Sequence, residues 1–336
     1  MNRMIRVALL SKWHVHAAEY AEHAKKNEHV EITHVWDEKE ERGREWANEL
    51  GVEFVQDIEA IFNNPDIDAV IVDTPTSMHR DVIIRAAESG KHIFTEKVLA
   101  ITVEDAKAIL EAVEKHGVKL MVSLPRLTAD YYLYAQRVVD EGLLGKLTTI
   151  RCRVAHNGAV PYENSPHGWL PKHFYNMEEC GGGAFIDLGA HPIYLTNRLG
   201  GQAVAVTARL QHTLGYEVDD NAVAIVEYVS GAMGILETGF VANGSPFQIQ
   251  LYGTAGTLLI EDDKIRIFSN LMEEGWHEVK DLPTPLVMPM DQWVEEIRTG
   301  ETPSITHQDG FNLTLINHAA RFSHDQGRRV EMKELV

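Results

Sequence analysis

Lys97, Asp187 and His191 are the side chains of this sequence whose types and spacing best suit proton transfer. Asp187 and His191 stand four residues apart, which on a helix places them on one face, a turn from each other. The segment from Gly183 to Leu199 reads as that helix, with Gly181-Gly182-Gly183 allowing close backbone approach just before it. An imidazole with an ordinary pKa near ~6.5 takes or gives a proton around neutrality. Asp187 can orient that ring or contact a substrate hydroxyl; the competing reading of the pair is a capped surface contact. Lys97 follows Glu96 at the end of the short strand-like stretch Lys91–Thr95. A partly desolvated lysine there can stabilise a developing alkoxide or relay its proton. The competing reading is a salt bridge with Glu96.

The elements that must position these groups follow from periodicity. Ile5–Leu10, Val30–Trp36, Phe54-Val55, Asp68–Val72, Lys91–Thr95 and Lys119–Val122 read as strands. Between them, helices are expected over Ala17–Lys26, Glu40–Leu50, Ile58–Asn63, His79–Gly90 and Thr102–His116. Strands alternating with helices predict a doubly wound parallel sheet, whose ligands bind outside the carboxyl ends of the strands. Thr74, Pro75 and Lys97 therefore come to one edge. From Thr148 the pattern changes to strand-like runs: Ala203–Thr213, Ala222–Val229, Ala232–Gly239, Gln248–Tyr252 and Thr257–Ile260, with Lys264–Phe268 and Trp276–Val279 as edge strands and a tail helix over Phe311–Asp325. The expected fold is α/β. A Rossmann-type domain over residues 1–124 precedes an α+β domain over 125–336, built on a largely antiparallel open sheet. An open sheet face needs cover, which predicts a homo-oligomer.

The chain has 336 residues, 44% of them hydrophobic and 24% charged, enough for two ordinary domains. A formal charge of −19 spread along the chain argues against a nucleic-acid or anionic-membrane surface. Cys152 and Cys180 form neither a disulfide framework nor a zinc pattern, and His14, His16, His23, His29 and His34 lack metal-ligand spacing, so no metal is expected. The charged lead-in Met1–Arg6 lacks a signal-peptide core and no apolar run approaches ~18 residues, so a cytoplasmic location without membrane insertion is expected.

Two features bear on a nucleotide. Asp37 ends the second strand, where a carboxylate accepts hydrogen bonds from the ribose of NAD and repels the 2′-phosphate of NADP. The first turn, by contrast, has no glycine between Met1 and Arg42; Ser11, Trp13 and His14 occupy it. A helix N-terminus still follows with its N–H donors and positive dipole end, and Ser11 or His14 can supplement them.

Val72-Asp73-Thr74-Pro75, His79, Gly90-Lys91-His92 and Glu96-Lys97 together resemble the glucose–fructose oxidoreductase / inositol dehydrogenase (Gfo/Idh/MocA) family, with its T-P-x-x-x-H, G-K-H and E-K-P motifs. Gly181–His191 resembles the same family's G-G-G-x-x-x-D-x-G-x-H, and Glu141–Lys146 its domain junction. Val98 replaces the motif proline, and Tyr194 stands where an aspartate often follows the histidine. The resemblance implies an NAD(P)-dependent enzyme oxidising a secondary hydroxyl of a sugar, cyclitol or glycoside, with Lys97, Asp187 and His191 as its catalytic set. It implies that Thr74, Pro75, His79, Glu96, Lys97 and Arg126 join Ser11, Trp13, His14 and Asp37 around the cofactor. The stretch holding His156, Trp169, Lys172, His173 and Tyr175 would line a polyol site, where edges hydrogen-bond and an apolar sugar face stacks. A homodimer or homotetramer through the C-terminal sheet is expected. Two other outcomes stay open at this point. One is a redox-neutral lyase or epimerase with tightly held NAD; the other is a non-catalytic sugar-binding protein that has lost the nucleotide site.

Overall fold

A computed structural model describes residues 3–336; Met1 and Asn2, part of the charged lead-in, lie outside the described residues. The chain divides into two units: one runs to Ser123 and includes Val287–Phe311, the other comprises Leu124–Leu286 and Asn312–Val336.

The first unit holds six parallel strands: β1 (Ile5–Leu10), β2 (Val30–Trp36), β3 (Glu53–Phe54), β4 (Ala69–Val72), β5 (His92–Thr95) and β6 (Leu120–Val122). Their order, β3-β2-β1-β4-β5-β6, is that of a doubly wound sheet with its switch point between β1 and β4. The crossovers are α1 (Ala17–Lys26), α2 (Glu40–Leu50), α3 (Ile58–Phe62), α4 (His79–Glu88) and α5 (Val103–His116). Capping explains their limits. The Thr102 side chain accepts from the Asp105 N–H at the start of α5, and Gly117 closes that helix in the left-handed conformation. All four residues of β4 are buried, as a strand covered on both faces requires.

In the second unit, α6 (Asp130–Asp140) and β7 (Leu147–Ala155) precede α7 (Met177–Cys180) and α8 (Ala190–Gly200). Seven strands follow: β8 (Ala203–Gln211), β9 (Asn221–Tyr228), β10 (Met233–Gly239), β11 (Gln248–Gly253), β12 (Gly256–Glu261), β13 (Lys264–Ser269) and β14 (Trp276–Glu278). The chain then supplies α9 (Pro289–Thr299) and the start of α10 (His307–Gln326) to the first unit. The rest of α10 and β15 (Val330–Glu331) belong to the second. The nine-stranded sheet runs β14-β13-β12-β11-β7-β10-β9-β8-β15, antiparallel except for the β7–β10 pair. On β9, Ala222, Ala224, Val226 and Tyr228 are buried while Val223 and Ile225 are exposed, the period-2 signature of a sheet with one covered face. The described residues contain no helix long and apolar enough to cross a membrane.

Periodicity did not reveal α6 or α9. Pro289 opens α9 in its first turn, where a missing N–H costs nothing. Trp293 on α9 is fully buried and lies 5.8 Å from Phe94 of β5. The larger correction concerns Asp187. The helix expected from Gly183 begins only at Ala190, and Asp187 lies in the turns before it.

Candidate active site

The register of the first sheet lines up its strand ends. Trp36, Leu10, Val72, Thr95 and Val122 form one row of partners across β2, β1, β4, β5 and β6. The next residue on each strand is polar and buried: Asp37, Ser11, Asp73, Glu96 and Ser123. Such a row is expensive to assemble unless its members satisfy one another. Glu96 is the hub. Its Oε2 accepts a hydrogen bond from the Tyr20 hydroxyl of α1, which also lies 2.8 Å from the Ser123 Oγ. Its Oε1 lies 3.8 Å from the Lys97 Nζ and 3.9 Å from the His14 Nε2. Asp73 is fully buried with neither carboxyl oxygen hydrogen-bonded. Burial, and then the Glu96 charge, push its pKa well above the usual carboxylate range. The Tyr20 hydroxyl is raised by burial and by the same two acids. Lys97 is therefore in contact with Glu96, and the contact belongs to a buried polar cluster rather than a solvated surface pair.

His79 fastens the segment after Lys97. Its Nδ1 donates to the Val98 carbonyl at 2.9 Å, and its Nε2 lies 3.3 Å from the Thr74 carbonyl. Burial lowers its pKa. The Lys97–Val98 peptide is cis. Thr74 and Pro75 are buried beside this tie at the end of β4.

The glycine-free turn keeps the backbone path that glycine would supply. Ser11 adopts φ 77°, in the left-handed region, and its Oγ accepts from the Trp13 N–H at 3.0 Å. Trp13 and His14 turn inward and are buried. The N–H groups of Val15 and Ala18, at the exposed start of α1, have no acceptor among the described residues. These are donors of the kind a diphosphate takes at a helix N-terminus. Asp37 is saturated: it accepts from the N–H groups of Lys12 and Lys39 at 2.8 and 2.7 Å and from two nitrogens of Arg42 at 2.8 Å each. Arg42 also reaches Glu38 and the Ser11 Oγ, and these carboxylates raise its pKa although burial opposes its charge. The N–H donors at the start of α1 fit the diphosphate of NAD, whereas Asp37, expected to accept from the ribose, already has its acceptor sites filled by Lys12, Lys39 and Arg42.

In the second unit the glycine-rich segment is shaped by Asp219, which sequence reading missed. Its carboxylate accepts from the N–H groups of Gly183 at 3.0 Å and Phe185 at 2.8 Å, and its carbonyl from that of Ala184 at 2.7 Å. A Cβ at Gly183 would lie 1.9 Å from that carbonyl oxygen, so only glycine fits. Burial raises the Asp219 pKa against the pull of these donors. The bonds bend residues 183–189 into turns, which explains the late start of α8. The Nδ1 of His191, in the first turn of α8, lies 2.8 Å from the hydroxyl of buried Tyr194, a hydrogen-bond contact.

The remaining expected site residues also lie in this unit. Tyr175 donates to the His167 carbonyl at 2.7 Å, and its ring stacks on Tyr216 at 4.0 Å. Burial raises its pKa. With Phe174, Ala184 and Phe240 it forms an apolar cluster that joins the loop around it to the glycine-rich turn. His156 stacks on Phe240 and lies 4.7 Å from exposed Trp169, whose indole nitrogen donates to Asn157. His173 is half-buried next to Phe174, and its carbonyl accepts from the Cys180 thiol. Arg126 lies over the Phe247 ring at 4.7 Å and 3.4 Å from the Tyr131 hydroxyl.

Residues 13–124 match the oxidoreductase family with an NAD-binding Rossmann fold, and residues 132–259 match the Gfo/Idh/MocA C-terminal domain. The chain is 30% identical over 305 residues to a scyllo-inositol 2-dehydrogenase (NAD(+)) of Bacillus subtilis (strain 168), covering 87% of this chain and 85% of that protein. It is 25% identical over 332 residues to a myo-inositol 2-dehydrogenase of Thermotoga maritima, covering 94% and 96%. A levoglucosan dehydrogenase solved in complex with NADH and levoglucosan shares the fold, with a TM-score of 0.83 at 22% identity over 98% of this chain and 100% of that one. The chain belongs to the Gfo/Idh/MocA family of NAD-binding oxidoreductases.

Proposed function

We propose that this protein oxidises a secondary hydroxyl of a sugar, cyclitol or glycoside with NAD. The observation that carries the reading is the placement of Lys97 against Glu96 at the carboxyl end of β5, within an NAD-binding Rossmann domain. Bound NAD supplies the hydride acceptor; the chain binds, orients and moves the hydroxyl proton. Lys97, Asp187 and His191 form the catalytic set, with Lys97 or His191 taking that proton. The N–H groups of Val15 and Ala18 receive the diphosphate, and Ser11, His14, Thr74, Pro75 and Arg126 serve the cofactor around them. Asp37 and Glu38 outnumber Arg42 at the end of β2, which disfavours a 2′-phosphate and supports NAD over NADP. His156, Trp169 and His173 contact the polyol, and Tyr175 braces their loop. The similarity to inositol dehydrogenases supports this substrate class. Val223, Ile225, Met233 and Tyr252, exposed on one face of the second sheet, support a homodimer or homotetramer.

The test follows absorbance of the reduced cofactor over a panel of inositols, sugars and anhydrosugars with NAD and NADP. Turnover with NAD that Lys97→Ala abolishes is the expected result. Activity that survives the substitution removes the mechanism.

A further inference from the structure

Two groups in the proposed mechanism can take the hydroxyl proton, and the surroundings of His191 distinguish them. A phenol is the stronger hydrogen-bond donor and an imidazole nitrogen the stronger acceptor. In a 2.8 Å contact between the Tyr194 hydroxyl and the His191 Nδ1, the proton therefore stays on oxygen and points at nitrogen. The neutral ring must then carry its own proton on Nε2. A carboxylate at this position would reverse that, taking an Nδ1 proton and leaving Nε2 as a base.

The partner is held firmly. Tyr194 is 1% exposed, one turn along α8 from His191, with the two rings 74° apart. That helix is pinned by the Tyr132 hydroxyl on the Leu195 carbonyl at 2.7 Å. Among the charged groups, the Arg126 guanidinium lies close enough to interact with the Tyr194 hydroxyl, and Tyr131 and Cys152 lie close to Arg126 in turn. A cation beside a phenol oxygen favours presenting the lone pairs to the cation and the hydrogen away from it, toward Nδ1. Asp187 is the nearest acid in sequence.

We infer that Tyr194 is a positioning residue that fixes His191 as a neutral Nε2–H donor, so that His191 holds the substrate oxygen and Lys97 takes its proton. This rests on the dehydrogenase reading for its catalytic consequence. In the oxidation, the O–H bond would break as its proton forms an N–H bond on the Lys97 amine, which has to meet the substrate unprotonated. The carbinol hydrogen would pass as hydride to bound NAD, and the His191 Nε2 would keep its hydrogen bond to the product carbonyl oxygen.

The test has two arms. In the first, ¹⁵N-histidine-labelled protein is examined by long-range ¹H–¹⁵N correlation above neutral pH, with the His191 signals assigned by their loss in His191→Gln. The expected spectrum has an unprotonated Nδ1 and a protonated Nε2, and Tyr194→Phe converts it to a mixture of tautomers. A proton on Nδ1 in the wild type, or an unchanged single tautomer in Tyr194→Phe, overturns the inference. In the second arm, Tyr194→Phe lowers kcat about tenfold, the scale of one lost orienting hydrogen bond, with KM for NAD unchanged. A wild-type kcat in that variant also overturns it. A wild type that turns over no polyol counts against the dehydrogenase reading, and the spectral arm still decides the role of Tyr194.

Discussion

Replacing Tyr20 with phenylalanine removes one oxygen from the buried cluster around Glu96, and the cost follows from what that oxygen touches. The hydroxyl donates to a carboxylate that is 2% exposed and contacts Ser123 at 2.8 Å. A hydrogen bond to a charged group contributes about 1.5–3 kcal/mol, and burial leaves little solvent to screen it or to replace the lost donor. Tyr20→Phe should therefore destabilise the protein by about 2–3 kcal/mol. In a Glu96→Gln background the acceptor is neutral, and the same substitution should cost only about 1 kcal/mol. The double-mutant cycle then returns a coupling of about 1–2 kcal/mol. Urea unfolding monitored by tryptophan fluorescence measures it, since Trp13, Trp36, Trp46 and Trp293 all report on the first unit. A coupling below ~0.5 kcal/mol would refute the reasoning, because Glu96 would then not be charged and held by Tyr20.

Two further outcomes follow from the same description. Asp73 holds its proton to higher pH folded than unfolded, so between about pH 4 and its raised folded pKa the native state binds up to one more proton than the unfolded chain. Stability contributed at low pH is lost as pH rises through the folded pKa, by about 1.4 kcal/mol per pH unit. Asp73→Asn removes that slope; its urea midpoint should gain on the wild type as pH rises, and parallel curves would sink the assignment. Gly183→Ala forces a Cβ into the Asp219 carbonyl; a loss of about 3 kcal/mol together with a collapse of polyol turnover is expected in melting and absorbance assays, and an unperturbed melting temperature would mean the turn relaxes freely.

Much of the first unit was legible because its elements are written locally. Apolar runs such as Val70-Ile71-Val72, the Thr102 cap and the left-handed Gly51 and Gly117 each carry their own boundary signal. Lys97, Asp187 and His191 were legible as motifs, and the Lys97–Glu96 contact was weighed from adjacency alone. The fold then made that contact part of a cluster, since Tyr20 on α1, 76 residues before Glu96, meets both the Glu96 carboxylate and Ser123, which lies 103 residues beyond Tyr20. Asp219 bends a segment 36 residues upstream, which is why a helical pattern at Gly183 failed. Ser11 entered the left-handed region without being glycine, held by bonds to its own turn and to Arg42.

Local pattern and motif spacing thus determined most of the elements, the family and the residues proposed to carry chemistry. The folded chain alone decided which partner each of them meets: the Tyr194 hydroxyl for the His191 Nδ1, and for Asp73 a buried place beside Glu96 that raises its pKa. The physical reason is that secondary structure depends on neighbours a few residues away, whereas protonation and tautomer depend on burial and on donors brought in by other elements.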